Sequence, residues 1–404
     1  MNRFVLILSI AGSLIGSIIG HLYDLPRHTC PTLYENEQMI LNPGDAKLLP
    51  GAVWRDTDGN MIQAHGGQVQ RMPVPDGHGG KKMVYVWIGE NKTWGHTGNP
   101  VSVYTSEDLI SWECHGDVLK PVPDDAAIDN DPYFNDLYGD YSDEKRKETV
   151  NALSPWSIIE RPKMLYNEMY DNYVLWFHSD GSTEKNDYLY DTGMAGVAVS
   201  DSPYGPFRFT GRYRLSECPE DQIDCFPASK GEARDMNLFK DDDGTAYITY
   251  TSENNKTIYL SKLNEDYTYL SSDPAEAVYG EDYIRIFPGA MREAPALTKG
   301  DDGRYYLMTS STTGWMSNQA RVWSADEIFG NWKNDGNPCA DAGAFVTYDT
   351  QSTCLFRTES GDLVYMGDRW NPGNLADSRY IWLPAEIKDS KLKIFWTGSW
   401  NPGQ

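Results

Sequence analysis

Residues 293–308 read Glu293-Ala-Pro-Ala-Leu-Thr-Lys-Gly-Asp-Asp-Gly-Arg-Tyr-Tyr-Leu-Met. A polar head opens a short apolar run, an Asp-Asp-Gly turn follows, and a run rich in Tyr and Leu returns. This is a β-hairpin in outline, because aromatic and aliphatic residues favour strands and Asp-Gly supplies the turn. The same order recurs along the chain. Glu160-Arg-Pro-Lys-Met-Leu-Tyr precedes Tyr173-Val-Leu-Trp-Phe-His, and Asp235-Met-Asn-Leu-Phe precedes Asp241-Asp-Asp-Gly and Tyr247-Ile-Thr-Tyr. Gln351-Ser-Thr-Cys-Leu-Phe precedes Glu359-Ser-Gly and Leu363-Val-Tyr-Met. In the first copy, Gln63-Ala-His-Gly-Gly-Gln-Val reaches Met83-Val-Tyr-Val-Trp across a longer turn. Further strand-like runs, such as Gly196-Val-Ala-Val and Tyr259-Leu-Ser, follow several of the hairpins.

A hairpin with outer strands, repeated at intervals of roughly fifty residues or more, is the signature of a propeller blade. The sequence therefore predicts an all-β fold, a five-bladed β-propeller over residues 50–404. Its 404 residues exceed the usual single core, but repeats escape that limit because each unit packs only on its neighbours. The innermost strand of each blade lines a central channel, so the strand heads gather at one mouth. Gln63 and His65, Glu160, Asp235, Glu293 and Gln351 are thereby expected at one site. The acidic stretch 122–154 interrupts the spacing; it reads as a long surface loop with a helical turn around 143–150, able to shape one side of the site.

Composition narrows the function classes. A formal net charge of −24 excludes nucleic acid as a partner and disfavours anionic polymers and membrane surfaces, while a neutral glycan remains compatible. Asn2 and Arg3 before an apolar run at 4–19 read as a secretory leader. The expected organisation is a signal peptide at 1–20, an N-terminal extension at 21–49 and the propeller, exported as a monomer. Of six cysteines, only Cys218 and Cys225 form a local pair, expected as a disulfide. None has metal-ligand spacing with histidine, and neither a metal nor a cofactor is expected. Asn91-Lys-Thr and Asn255-Lys-Thr are glycosylation acceptors only in a eukaryotic secretory pathway.

Carboxylates facing each other in an aromatic-lined cavity are the tools of glycoside hydrolysis. One of them must stay protonated to donate to the leaving oxygen, which burial and a neighbouring negative charge arrange. Glu293, with its Ala-Pro flank, fits the acid; Glu160 and Asp235 supply charge or hold sugar hydroxyls. Trp54, Trp94, Trp156, Trp176, Trp315 and Trp370 lie near strand ends, where an indole either stacks on sugar or packs between blades.

At this point the residues match a family. Trp54-Arg-Asp-Thr-Asp-Gly-Asn-Met-Ile-Gln-Ala-His-Gly-Gly, Glu160-Arg-Pro-Lys, Arg234-Asp with Asp241-Asp-Asp-Gly, Arg292-Glu-Ala-Pro and Met366-Gly-Asp-Arg-Trp resemble glycoside hydrolase family 43. More narrowly they resemble its exo-β-1,3-galactanase branch, over residues 50–400. The resemblance implies an inverting enzyme with an Asp base on blade one, an Asp modulating the acid on a later blade, and a Glu acid. Glu293 falls in the acid motif and Glu160 in that of the second acidic residue. The Asp base is missing, since the matching stretch reads Gln63-Ala-His-Gly. In the galactanase-like branch a glutamine on the last blade takes its place, which here is Gln351 in Thr350-Gln-Ser-Thr, an amide able to act through its imidic acid tautomer. The expectation is that Glu293 is the acid, Gln351 holds the water about 6.5–9.5 Å away, and Glu160 binds a sugar hydroxyl. Gln63, His65, Asp235, Trp315, Arg369 and Trp370 are expected to contact substrate. The expected substrate is the β-1,3-galactan backbone of arabinogalactan. Alternatives are release of arabinofuranose or another terminal sugar, and a propeller that binds glycan without cleaving it.

Overall fold

Each hairpin forms the inner half of a four-stranded antiparallel sheet in the computed structural model, which describes residues 30–183, 186–222, 231–341 and 343–403. The five sheets are five blades of a β-propeller, each built from four strands consecutive in the chain. Their first strands are His65–Pro75, Ile158–Asn167, Met236–Lys240, Arg292–Lys299 and Gln351–Arg357. These first strands touch their neighbours around a closed ring, the fifth meeting the first, and so line the channel.

Strand periodicity explains why the inner runs look continuously apolar. Successive side chains point to opposite faces of a sheet, and here both faces are covered by a neighbouring blade. Tyr305 and Leu307 pack with Tyr247, Ile258 and Leu260 of blade three, whereas Tyr306 and Met308 pack with Leu355, Tyr365 and Leu383 of blade five. The five apolar clusters correspond to the five seams between blades.

The seam between blades five and one joins the two ends of the repeat. Trp54, Trp87, Trp112 and Trp382 meet edge to face there, with centroid spacings of 4.8–6.1 Å. Residues 36–49 run along this seam. Ile40–Leu41 pairs with Val53–Trp54, Leu48 bridges to Trp400, and Asn36 donates to the carbonyls of Pro50 and Gly398. Leu33 is buried with the blade five core.

The stretch 122–154 has the helix expected around 143–150, but the rest is not the surface loop expected. It forms three short helices, Asp125–Asn130, Pro132–Tyr138 and Asp143–Ala152. Part of its acidity is capping chemistry: Asp124 accepts from Ala127 N and Asp131 from Tyr133 N. Ile128, Phe134, Leu137 and Tyr138 fill the outer seam of blades one and two, and none of the helical residues lines the cavity described below.

The leader-like run lies outside the described residues, as does Cys225 of the expected disulfide. Cys30, Cys114, Cys339 and Cys354 are free thiols. No helix among the described residues is long and apolar enough to cross a membrane.

Candidate active site

A break in strand register sets the site. In blades one, two and four, pairing slips right after the polar head: between His65 and Gln68, Glu160 and Lys163, and Glu293 and Ala296. The residue after each head is left-handed, with φ of 58° at Gly66, 53° at Arg161 and 52° at Ala294. Such a bulge re-aims the neighbouring side chain. It also frees a backbone N–H, which in every case donates to a carboxylate of the preceding blade. Gly66 donates to Asp368 (2.6 Å), Arg161 to Glu90 (2.9 Å) and Ala294 to Asp235 (3.1 Å). At Gly66 an added Cβ would lie 2.1 Å from the Glu90 carboxylate, so only glycine fits.

These bulges open on a cavity of about 320 Å³ at one end of the channel, lined among others by Glu90, Glu160, Arg161, Asp235, Glu293, Gln351, Trp315 and Trp370. Burial, the charge of Asp235 and, less strongly, Glu160 push the Glu293 carboxyl up to about 8 against the opposing pull of Arg161. Glu160 is held in the opposite state. Although burial works against it, hydrogen bonding to His178 and the charge of Lys92 hold it well below the usual carboxylate range. His178 lies between Glu160 (3.6 Å) and Asp180 (2.9 Å). Despite burial these two acids push the imidazole up to about 9. Arg234 closes the chain on Asp180 at 2.6 Å, and Tyr190 donates to Glu160 at 3.0 Å. One acid is therefore kept neutral and its neighbour ionised, which is the division of labour an acid catalyst needs.

Gln351 stands between them and the aromatic wall. Its oxygen accepts from Arg161 (2.5 Å) and Trp370 Nε1 (2.9 Å), and its nitrogen lies 3.1 Å from Glu293 and 3.2 Å from Ser310. That direct contact departs from the separation of about 6.5–9.5 Å expected between acid and water-holding group. Heads of adjacent blades meet at the channel axis, and sequence carries no information on that distance. Arg161 also reaches Asp235 (3.3 Å) and the Ser352 carbonyl (3.0 Å), tying blades two, three and five together.

Three expected substrate contacts lie elsewhere. His65 is fully buried, 3.3 Å from Asp368 and stacked on Tyr380 at 4.7 Å. Gln63 donates to the Ala376 carbonyl in the same seam. Arg369 points away from the cavity, donates to the Tyr348 carbonyl and sits over the Tyr34 ring at 4.5 Å. The blade one bulge turns its head toward blade five, and the side chain alternation after Asp368 sends Arg369 outward while Trp370 faces the cavity. Trp315 and Trp370 make one wall, 4.9 Å apart, with Lys92 behind them. Of the other strand-end tryptophans, Trp54 and Trp176 are core residues, and Trp94 and Trp156 are exposed.

Glu90, Lys92, His96, His178, Tyr190 and Arg234 were not singled out in the sequence. Glu90 ends its second strand and His178 lies two residues from the end of its own, each directly opposite a polar head, paired with His65 and Glu160 respectively. Glu90 forms a buried pair with Lys92, and burial pushes its carboxyl up. Asn254 and Asn255 reach the mouth from a turn in which Glu253, Asn254 and Asn255 are successively left-handed (φ 55°, 55° and 58°). Asn tolerates this region, whereas at Glu253 it costs about 1–2 kcal/mol, and Arg285 and Tyr259 hold the turn through Glu253. Among the described residues, Glu160, His178 and Asp235 are the one group arranged as metal ligands, with candidate atoms within 4.8 Å of one another.

The profile of Glycosyl hydrolases family 43 matches residues 162–367. An exo-β-1,3-galactanase from Phanerochaete chrysosporium, solved with β-1,3-galactotriose, is 28% identical over 88% of this chain and 68% of its own, with a TM-score of 0.68. A family 43 β-1,3-galactosidase solved with galactodeoxynojirimycin is 32% identical over 88% of this chain and 100% of its own, with a TM-score of 0.69. An exo-β-1,3-galactanase from Clostridium thermocellum is 29% identical over 88% and 66%, with a TM-score of 0.65. No curated protein sequence matches the chain.

Proposed function

The chain belongs to glycosyl hydrolases family 43, and from that premise we propose that it releases galactose from the non-reducing ends of β-1,3-linked galactan. The observation that carries this reading is the pairing of a protonated Glu293 with an ionised Glu160 in a cavity whose fifth-blade head is the amide Gln351. Glu293 donates its proton to the glycosidic oxygen as that C–O bond breaks, and the attacking water loses a proton to solvent as it bonds to the anomeric carbon. Glu293, whose neutral form burial favours, takes up a proton from solvent before the next turnover. Glu160, fixed by Tyr190 and His178, accepts from a hydroxyl of the bound sugar. Asp235 keeps Glu293 protonated. Water attacks from the far face, as inversion requires, and sugar entering the cavity separates Gln351 from Glu293, which frees the amide to orient that water. The relatives named exo-β-1,3-galactanase and β-1,3-galactosidase, and the small size of the cavity, support an exo-acting enzyme. Export is part of the same reading and rests on the leader-like run at 4–19.

Incubation with β-1,3-galactotriose and with branched arabinogalactan, followed by chromatography of the products, tests this. Stepwise release of galactose is the expected result. Arabinose alone overturns the galactan assignment, and binding without product overturns the enzymatic one.

A further inference from the structure

A cavity of about 320 Å³ is at the small end of ligand pockets, roughly 300–1,000 Å³. It has room for one or two sugar rings, so the rest of any polymeric substrate must lie across the rim. Tryptophans report where. Among the described residues only Trp94 and Trp156 are exposed tryptophans, at 62% and 78%; one such ring alone is ordinary, but two on adjoining loops are informative.

Neither lines the cavity itself, but both stand a few residues from side chains that do. Trp94 ends the short turn Lys92–Trp94, two residues before His96, which lines the cavity. Trp156 lies just before Ile158–Asn167, the strand that carries Glu160. The two loops are one structure: Gly98 N donates to the Ser157 carbonyl at 2.9 Å. Gly98 has φ of 62°, and a Cβ there would sit 2.4 Å from the Pro155 carbonyl, so the close approach requires glycine. The Trp156 loop is also anchored. Ser157 N donates to the Ser154 carbonyl, and Val122 N to the Leu153 carbonyl, which pins the base of the helical insertion. The two exposed indoles are therefore carried on loops that are hydrogen-bonded to each other and that lead directly into His96 and Glu160 of the cavity.

We propose that Trp94 and Trp156 form an outer glycan-binding surface that holds the part of a β-1,3-galactan chain remaining outside the cavity. This rests on the reading of the cavity as a galactan pocket. A β-galactose ring carries its C3, C4 and C5 hydrogens on one face, an apolar patch that packs flat on an indole. The occupant is a neutral polymer, so a contact made by uncharged rings suits a chain of net charge −24.

The test compares two substrates, β-1,3-galactobiose and a long soluble β-1,3-galactan, on the full chain and on Trp94→Ala, Trp156→Ala, the double variant and the corresponding Phe variants. For the polymer, KM is expected to rise roughly three- to tenfold for each Ala substitution, more in the double variant and less with Phe. For galactobiose, kcat and KM should stay within about twofold, because it ends inside the cavity. If the unaltered chain does not cleave galactobiose, the galactan reading itself fails. If it does and polymer KM is unchanged in the double variant, the outer surface alone is overturned. A change in oligomeric state by sedimentation, with polymer KM unchanged, assigns the rings to self-association and overturns it equally.

Discussion

Gln351 donates from its amide nitrogen to Glu293 across 3.1 Å, joining the heads of blades five and four over the channel. The bond leaves the amide with no spare capacity, since its oxygen holds Arg161 and Trp370 and its second hydrogen faces Ser310. It also fixes which Glu293 oxygen is turned toward the amide and which is left to reach a glycosidic oxygen. Substituting Glu293→Gln keeps the shape and removes the transferable proton. Turnover of galactobiose is expected to fall about 10²–10⁴-fold, with galactose binding retained by calorimetry. Near-normal turnover in that variant would remove Glu293 from the acid role.

The pH dependence follows from the same residue. A general acid works only while protonated, and Glu293 is held up to about 8 by burial and then by Asp235. The rate, kcat/KM, should therefore decline as pH rises through about 8. Asp235→Asn removes the largest charge acting on Glu293, which makes ionisation easier and moves this limb toward lower pH. An unmoved limb in the Asn variant contradicts the coupling.

Stability must move with the same proton. Glu293 has a higher pKa folded, about 8, than its ordinary value of 4.5, so between those values the native state holds a proton that the unfolded chain has lost. Its contribution is fully present below about pH 4.5 and is lost as pH rises to about 8. Glu293→Gln has no such dependence. The Tm of the variant relative to the unaltered protein should climb from pH 5 to pH 8 and then level off, as scanning calorimetry would record. A constant difference across that range would mean Glu293 is not the buried acid.

The fold was legible because a hairpin repeat is a local signal: a polar head, an apolar run and an Asp-Gly turn each leave their mark within about fifteen residues. Glu160, Asp235, Glu293 and Gln351 followed from repeat position alone, and all four line the cavity. His65 and Gln63 share that position, yet a bulge at Gly66 turns the blade one head into the seam, and bulges leave little trace in composition. Glu90 and His178 were within reach of the pattern, since the second strand of an antiparallel hairpin ends beside the head of the first. Lys92, His96 and Tyr190 sit in loops with no repeat, and only tertiary packing brings them to Glu160. The stretch 122–154 misled because its acids serve as helix caps while its apolar residues are spaced too irregularly to declare a buried face.

Closure of the ring depends on apolar contacts between the first and last blades. Trp382 lies within 4.8–5.9 Å of the Trp54, Trp87 and Trp112 rings and is fully buried. Trp382→Ala should cost about 3–5 kcal/mol, read as a lower midpoint in urea. Galactobiose KM should be unchanged in native buffer, because the seam cluster does not line the cavity. A small loss of stability would mean that the N-terminal segment, through Leu48 and Asn36, closes the ring without the tryptophans.

Arg161 offers the sharpest separation of position from binding. Its guanidinium reaches Gln351, Asp235 and the Ser352 carbonyl at once, at 2.5, 3.3 and 3.0 Å, a fork that a lysine ammonium cannot reproduce. Arg161→Lys keeps a positive charge in the buried network, so the protein should fold, but it leaves the Gln351 oxygen to Trp370 alone. An amide that swivels no longer orients water, and misplacement on the scale of 1 Å is enough to lose about 10²-fold in rate. The expected result is a large fall in kcat for galactobiose with KM changed less than about threefold. Because the charge near Glu293 is kept, the alkaline limb should stay near pH 8. If KM rises in step with the fall in kcat, Arg161 binds the sugar directly and its hold on Gln351 is incidental.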